Sequence, residues 1–238
     1  MKFSVTKIPT RVSKLVAGLP DMGNVAGIAL EHLIYATRLE QFAICIDNWP
    51  PFVTHTRGMI EFERGKYAMY FRDGLDFIAM TGTHQPSEPS SLYELCENVL
   101  DIAQQAGVEE VYTIGAAHYE EALTETPRVF HAYLSEVIGE KIRSMGSEPL
   151  ESEGYITGFN GLLLGIARER GLTGACILGE ISDPQIRQPA AAKAVLEVIS
   201  RLIDVTLDFT KLDEEIERLK AARALERVYR RGRAPGVM

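Results

Sequence analysis

The stretch Gly18-Leu-Pro-Asp-Met-Gly-Asn-Val-Ala-Gly27 decides the fold, because the rest of the chain repeats its strand–turn–helix arrangement. An apolar run, residues 15–17, leads into it, and a segment with helical spacing, residues 25–37, leads out of it. Its glycines and proline predict a tight turn, in which Asn24 caps the following helix. Such a turn presents backbone N–H groups at a helix N-terminus, which is a common anion site. Gly23 and Asn24 are therefore candidate anion-binding residues.

The glycine spacing of this turn is also that of a nucleotide-binding P-loop, in which Gly18 and Gly23 would be followed by Lys and then Ser or Thr. Those two positions hold Asn24 and Val25 here. An ordinary P-loop ATPase is excluded, because the lysine for the phosphates and the hydroxyl for magnesium are both missing. The dinucleotide fingerprint G-x-G-x-x-G is absent as well. An anion site and a purely structural turn remain as interpretations, and the missing residues favour the turn.

The composition indicates a globular protein with one large domain, since the 238 residues are 46% hydrophobic and 24% charged. A net charge of −8 argues against binding to nucleic acid or to an anionic membrane surface. No apolar run approaches the roughly 20 residues that cross a bilayer, and no signal peptide opens the sequence. Cys45, Cys96 and Cys176 lie far apart without metal-ligand spacing. We therefore predict a cytoplasmic protein with reduced core cysteines, no metal and no cofactor.

Strand-like and helix-like segments alternate along residues 1–207, which we predict to form a single α/β domain. Residues 1–13 are predicted to be a polar lead-in, with the sheet beginning near Lys14. Residues 52–72 hold three short strand-like runs separated by glycine turns, which is typical of an antiparallel extension of the sheet. The other strands are separated by helices and should be parallel. The predicted fold class is a three-layer α/β/α arrangement around a mixed, mostly parallel sheet.

Two segments depart from this pattern. Residues 116–153 have weak periodicity and are predicted to be an inserted or covering segment, and residues 208–238 are predicted to form a C-terminal amphipathic helix and tail. The apolar stripe of that helix is narrow, which favours packing against a second chain or against its own domain equally. An aromatic residue beside two prolines, at positions 49–51, is a further candidate contact. The candidate oligomer or partner contacts are Trp49, Leu212, Ile216, Leu219 and Leu225.

Polar side chains follow several predicted strands, and in open α/β sheets such strand ends line one edge where ligands bind. A general acid or base can be drawn from His84, His118 and Glu180, of which His84 and Glu180 are the candidate catalytic residues. No nucleophile elbow, Ser–His–Asp signature or metal spacing accompanies them. The candidate ligand- or anion-binding residues at this edge, with the two from the opening turn, are Gly23, Asn24, Thr83, Thr157 and Asn160. Structural roles are the alternative, since Thr and Asn commonly cap helices.

Taken together, several stretches resemble the proteasome assembly chaperone 2 family, specifically its archaeal or bacterial single-domain members. They occur in the family's order and cover roughly residues 15–202. No single motif is diagnostic, but the ordered set is fairly specific. The matching stretches are Gly18-Leu-Pro-Asp-Met-Gly-Asn-Val-Ala-Gly27, Trp49-Pro50-Pro51, Thr81-Gly-Thr-His-Gln-Pro86, Tyr112-Thr-Ile-Gly115, Ile156-Thr-Gly-Phe-Asn-Gly-Leu-Leu-Leu-Gly165, Leu178-Gly-Glu180 and residues 190–199.

The resemblance implies a three-layer α/β fold related to nucleoside phosphorylases and peptidyl hydrolases. It also implies homo-oligomers and, in some members, a chaperone-like association with proteasome α subunits. Proteasome-binding members can end in a hydrophobic–Tyr–any-residue tail, whereas this sequence ends Gly236-Val237-Met238. Docking into proteasome pockets by that route is therefore not expected. The family has no established catalytic residues to carry over.

Two hypotheses follow for the function. The first is a chaperone-like oligomeric binding protein without catalytic activity, with proteasome α subunits as partners. The second is a small-molecule enzyme that uses the strand-end loops, as a hydrolase, a phosphorylase-like transferase or an ATP-dependent ligase. Binding of an anion or nucleotide that only regulates assembly is a third possibility.

Overall fold

The computed structural model describes residues 1–50, 52–119 and 126–232, and for residues 223–232 it describes the backbone only. Within these residues, nine strands form one sheet and two more form a separate hairpin. The strands are β1 (Ser4–Val5), β2 (Lys14–Ala17), β3 (Glu40–Ile46), β4 (Thr54–Thr56), β5 (Met59–Glu61), β6 (Lys66–Phe71), β7 (Phe77–Gly82), β8 (Glu110–His118), β9 (Val129–Tyr133), β10 (Glu148–Pro149) and β11 (Thr173–Ile181). None of the described helices has both the length and the apolar character that crossing a membrane requires.

The main sheet has the strand order β1-β3-β6-β7-β2-β8-β11-β9-β10. Its central strands β7, β2, β8 and β11 are parallel to one another. The strands β6, β3 and β1 continue the sheet in antiparallel fashion on one side, and β9 is antiparallel to β11 on the other. The prediction of a mixed sheet with a parallel centre is confirmed.

Helices cover both faces of the sheet, which confirms the three-layer α/β/α fold. The helices are α1 (Val25–Thr37), α2 (Pro89–Ala106), α3 (Glu136–Arg143), α4 (Gly158–Glu169), α5 (Pro189–Leu202) and α6 (Thr210–Gly232). One apolar core lies between the sheet and helices α2 and α4, and the other lies between the sheet and helices α1, α3 and α5. In β2, Leu15 and Ala17 belong to the first core and Val16 to the second. A central parallel strand is buried on both faces in this way, so it is apolar at consecutive positions.

The N-terminal segment is not a lead-in, and the prediction that the sheet begins near Lys14 is wrong. Strand β1 pairs antiparallel with β3 at the edge of the sheet, and both Phe3 and Val12 are buried in a core. The strand has only two residues, which is too short for an alternating pattern to reveal it.

The segment 116–153 is inserted between β8 and α4, and it both extends the sheet and covers part of one face of it. It begins with the last residues of β8, and after the undescribed residues 120–125 it contributes β9 and β10 to the edge beside β11. Helix α3 connects these two strands and packs its buried residues Ile138 and Ile142 into the second core.

Only one of the three short runs in residues 52–72 extends the main sheet. Strand β6 lies between β3 and β7, whereas β4 and β5 pair with each other alone. Residues 52–64 are all exposed and leave the body of the domain between β3 and β6. We call residues 52–64 the hairpin arm.

Candidate functional site

The carboxyl ends of the parallel strands meet at one edge, where the sequence predicts a ligand site. At this edge Asn160, in the first turn of α4, donates a hydrogen bond from Nδ2 to the backbone oxygen of Ile114 at 2.8 Å. A Cβ atom at Gly115 would lie 2.6 Å from the same Nδ2 atom, so glycine permits this close approach. Gln85 bridges two further loops, because its Oε1 accepts from the N–H of Phe159 at 3.0 Å and its Nε2 donates to the oxygen of Pro20 at 3.4 Å. Side chains of the protein itself therefore join the loops of this edge.

The opening turn uses its backbone N–H groups within the protein. The N–H of Gly23 donates to the oxygen of Pro184, and the N–H of Asn24 donates to the oxygen of Asp21, both at 2.9 Å. The Asp21 side chain accepts the N–H of Ala26 at 3.0 Å through Oδ1. A bound anion would have to compete with this carboxylate at the start of α1.

Asn24 does not cap α1 with its side chain, so that prediction is wrong. It has a φ of 53° in the left-handed region and makes no side-chain capping bond. A capping side chain normally requires extended φ and ψ angles at its own residue. Asp21, three residues earlier and extended in conformation, takes the capping role instead.

The Asp21 carboxyl group has an unusual environment for an acidic side chain. Burial raises its pKa from 3.8 to about 7, although the hydrogen bond from the N–H of Ala26 acts in the opposite direction. Its Oδ2 atom is buried without a hydrogen-bond partner among the residues that the structure describes. Asp21 also lines the groove beside α1 that is described below. The sequence showed this residue only as part of a turn, because its burial depends on the packing of distant segments.

Glu180 lies inside strand β11 and not in the loop that the sequence predicts after it. Its buried carboxylate binds the guanidinium group of Arg128, with 2.8 Å between Oε1 and Nη2, and also accepts the backbone N–H of Arg128 at 3.0 Å. The hydrogen bonds from Arg128 lower the pKa of Glu180. The guanidinium group also lies over the rings of Tyr119 and Phe130, 5.3 and 4.9 Å from their centroids. This ion pair ties β11 to the residue that precedes β9.

His84 belongs to a separate cluster at the base of the hairpin arm. Its Nε2 atom is 3.0 Å from both the hydroxyl of Tyr67 and Oδ2 of Asp47. Its ring stacks on Trp49, with 6.3 Å between the centroids, and Trp49 contacts Phe52 edge-on. Burial and the neighbouring Asp47 raise the pKa of Tyr67, so this hydroxyl stays protonated and can donate to Asp47. The cluster therefore joins the segment that precedes the arm, through Asp47 and Trp49, to the segment that follows it, through Tyr67 and His84.

The structure does not bring the two candidate catalytic side chains together. His84 follows β7 and Glu180 lies in β11, with β2 and β8 between them. Three strand spacings of about 4.8 Å put them about 14 Å apart. The other candidates are dispersed too: Thr83 accepts the backbone N–H of Lys66 at 3.0 Å, and Thr157 precedes α4 without a side-chain capping bond. Among the described residues, no cluster of His, Cys, Asp or Glu has the arrangement of a metal site.

An open groove of about 1170 Å³ runs beside α1. We call it the α1 groove. Its floor includes Ala68 and Tyr70 of β6, whose neighbours Tyr67 and Met69 face the opposite core. Charged and aromatic side chains from α1, β6, α6 and the adjoining loops line the groove, namely Asp21, Glu31, Tyr35, Arg38, Lys66, Asp208 and Lys211. The groove exists because the sheet extends past α1 on this face, and a sequence pattern does not show where a helical layer stops.

The hairpin arm has one apolar face, although it pairs with no other strand. The register places His55 opposite Ile60, and because side chains alternate, Val53 and Phe62 lie on the same face. Val53, Ile60 and Phe62 are 52%, 69% and 56% exposed. The opposite face carries polar residues together with two exposed apolar ones, Phe52 and Met59. Exposed apolar patches rimmed by polar residues are typical of interaction surfaces.

The first turns of α6 dock on their own domain. Leu212 is buried in the second core, and ion pairs join Lys193 to Asp213 at 2.6 Å and Arg187 to Glu215 at 3.1 Å. Ile216 and Leu219, further along the stripe, are half-buried. The side chain of Leu225 lies outside the described residues. Of the predicted contact residues, Trp49 is the one that lies at the base of the hairpin arm.

Comparison with known sequences identifies relatives over almost the whole chain. The sequence model of the PAC2 family matches residues 15–225. The uncharacterized protein MJ1210 of Methanocaldococcus jannaschii is 30% identical over 208 residues, which are 87% of this chain and 80% of MJ1210. The resemblance stated from the sequence motifs is therefore confirmed.

Solved structures with the same fold include proteins from an archaeon and a bacterium. PbaB of Pyrococcus furiosus, described as an archaeal proteasome activator, superposes with a TM-score of 0.79 at 29% identity, covering 94% of this chain and 98% of PbaB. PbaA of the same organism, a homologue of proteasome-assembly chaperone, gives a TM-score of 0.74 at 20% identity, covering 98% of this chain and all of PbaA. The Mycobacterium tuberculosis homologue Rv2125 gives 0.71 at 20% identity, covering 94% and 97% of the two chains. At 20% identity the last two support the fold alone.

Proposed function

The chain belongs to the PAC2 family, and we propose that it is a non-catalytic, oligomeric binding protein that associates with proteasome α subunits as a chaperone or activator. The association with the proteasome is supported by the similarity to PbaB, which extends over nearly the full length of both chains.

The observation that carries a binding role is the hairpin arm. It holds large apolar side chains in solvent at a distance from both cores, and an isolated two-stranded hairpin is marginally stable in water. The cluster of His84, Tyr67 and Asp47 anchors its base, so the arm is presented from a fixed point. A binding protein gains from such a surface, because burying it against a partner releases water from apolar area.

The alternative of a small-molecule enzyme at the strand ends has weaker support. His84 and Glu180 each have structural partners and lie about 14 Å apart by strand spacing. The N–H groups of the opening turn that would bind a phosphate are engaged by Pro184 and Asp21. Among the described acids at this edge, Asp21 has the raised pKa that is typical of a functional carboxyl group.

Co-expression with the proteasome α subunits of the source organism tests the proposal. We expect a complex of defined stoichiometry in native mass spectrometry after affinity purification of the tagged α subunit. A matched sample that co-expresses the β subunit measures non-specific capture. Recovery of free α subunits alone, with the chain folded and soluble in the same extract, would contradict the proteasome role.

A further inference from the structure

His131 lies in the middle of strand β9, one position from the end of the main sheet, and it has no exposed surface. Side chains alternate along a strand, so its ring lies on the same face as Val129, which belongs to the second core beside α3. Residues 134–150, which contain α3 and β10, bring the hydroxyl of Ser147 to the ring. We call residues 134–150 the edge segment.

Hydrogen bonds fix which ring nitrogen of His131 carries the proton. The Oγ atom of Ser147, itself buried, lies 2.9 Å from Nδ1 and 3.1 Å from the backbone oxygen of Val129. A carbonyl oxygen can only accept, so the hydroxyl proton goes to Val129 and Oγ accepts the Nδ1–H of the ring. The neutral ring therefore leaves Nε2 as an unprotonated acceptor. That Nε2 atom is buried without a hydrogen-bond partner among the described residues.

The surroundings of the ring favour its neutral form. Burial lowers the pKa of His131 from 6.5, and the positive charge of Arg143 on α3 lowers it further. Backbone groups of Gly139 and Glu148 act in the opposite direction without reversing the shift.

Apart from Arg143, the titratable and charged side chains around this part of β9 are exposed or have partners other than the ring. They are Tyr133, Glu136, Glu140, Lys141, Glu148 and Arg201. The Tyr133 hydroxyl binds Glu136, and Arg201 of α5 donates to the backbone oxygen of Met145 at 2.8 Å. On the β11 side, the residue opposite His131 is the apolar Ile177. None of these described groups is a carboxylate paired with the ring, so a charged ring would have no counter-ion here.

We propose that His131 is a pH-sensitive latch: acidification charges its ring and releases the edge segment from β9, while the parallel centre of the sheet stays folded. This goes beyond the proposed function and does not depend on it. A buried imidazolium without an acceptor for its second N–H pays a desolvation cost, which exposure of the ring removes. The edge segment is the cover that moves most easily, because β10 pairs with β9 through two residues and β11 pairs with it through five.

The opening of the edge segment should increase as the pH falls below 6.5. Above that pH the ring is neutral whether the segment is closed or open, so the pH has no effect. Below it the exposed ring of the open form, with its ordinary pKa, binds a proton that the closed form does not. At pH 5 an exposed histidine of pKa 6.5 can favour the open form by up to about thirtyfold.

Hydrogen exchange of the whole chain, followed by mass spectrometry at pH 7 and pH 5, tests the latch. After correction for the intrinsic pH dependence of exchange, we expect the protection of the edge segment to fall about tenfold at pH 5. Peptides from β7 and β8 should keep their protection, because the parallel centre stays folded. An equal loss in all three regions, or no loss in the edge segment, overturns the latch.

His131→Asn separates titration from packing. The amide nitrogen of asparagine can replace Nδ1 as the donor to Ser147, but the side chain cannot bind a proton. We expect this variant to show the same protection of the edge segment at both pH values, lower than in the wild type because the smaller side chain packs less well. His118→Asn is the matched control, because His118 is exposed at the end of β8 and should leave the tenfold response unchanged. A tenfold response that persists in His131→Asn contradicts the proposal.

Long-range proton–nitrogen NMR correlation of the wild-type histidines measures the tautomer directly. At pH 7 we expect His131 to carry its proton on Nδ1, with Nε2 unprotonated. A proton on Nε2 at this pH would remove the unpaired acceptor from which the latch is inferred, and it would overturn the proposal. The two wild-type measurements remain valid when His131→Asn does not fold.

Discussion

Asp21 shows how one side chain can combine a structural and a titrating role. Its Oδ1 atom caps α1, while its buried Oδ2 atom has no partner among the described residues. The fold favours the protonated acid, because burial penalises the charge more than the N–H of Ala26 stabilises it. The opening turn therefore holds a carboxyl group of the protein itself where a phosphate site would hold an anion. Ionising that buried group lowers the stability of the fold.

We predict that Asp21→Asn removes a pH dependence of stability. The raised pKa stabilises the wild type fully below pH 3.8, and this stabilisation is lost as the pH rises to about 7. A pKa difference of one unit corresponds to about 1.36 kcal/mol. Between pH 4 and pH 8, the free energy of unfolding of the variant should therefore rise by up to about 4 kcal/mol relative to that of the wild type. Urea unfolding at several pH values measures the difference.

Asp76→Asn is the control for this measurement. Burial acts to raise the pKa of Asp76, but hydrogen bonds from Lys14 and Ser13 lower it overall. Its contribution therefore changes below pH 4 and stays constant between pH 5 and pH 8. A difference between Asp21→Asn and the wild type that is equally constant over that range would contradict the raised pKa.

For the Glu180–Arg128 pair we predict that removing the arginine destabilises the protein more than neutralising the glutamate does. Arg128→Met leaves a buried carboxylate without its partner, whereas Glu180→Gln leaves a neutral amide and an arginine that reaches solvent. We expect Arg128→Met to lower the urea midpoint more than Glu180→Gln does. The double variant should lose less than the sum of the two. Additive losses would show that the two side chains do not stabilise each other.

At the scale of elements, local patterns predicted the helices and buried strands, and non-local contacts account for the errors. Helix α5 is an example of local signals, because it begins at Pro189 and has periodic apolar positions. Glu180 was assigned to a loop, because a charged residue normally ends an apolar strand, and its partner Arg128 is 52 residues away. The isolation of β4–β5 could not be predicted, since alternation is the same whether a hairpin joins the sheet or leaves it.

The junction between the opening turn and α1 supplies a prediction at this scale. Gly23 has a φ of 65°, and a Cβ atom there would lie 2.6 Å from Cγ of Gln188, in the segment that precedes α5. Gly74 has a φ of 89° with open space around it. Gly74→Ala should therefore cost about 1–2 kcal/mol for the left-handed backbone alone. We expect Gly23→Ala to cost at least about 1 kcal/mol more in urea unfolding, because Gln188 must also move. Equal losses would contradict a tight packing of this turn against residues 184–188.

At the scale of the whole molecule, the candidate surfaces lie where the layers end. The helical layer stops at α1 while the sheet continues to β6, and this leaves the α1 groove. The hairpin arm leaves the sheet beside the same strand. The strand ends, where open α/β proteins commonly bind ligands, are instead joined by Gln85 and Asn160. This distribution favours binding of proteins over binding of a small molecule.

Truncation of α6 separates its two roles, docking and oligomer contact. A chain ending after Lys220 keeps the buried Leu212 and should retain its unfolding midpoint within a few degrees. A chain ending after Leu207 loses Leu212, the Phe209 ring stacked on His32 and the bond from His32 to the oxygen of Asp208. It should lose about 3 kcal/mol or more, the usual cost of removing a buried leucine. Because the docked first turns of α6 stay in place, we expect the chain ending after Lys220 to remain an oligomer in light scattering. A folded monomer of that length would show that the stripe of α6 forms the interface.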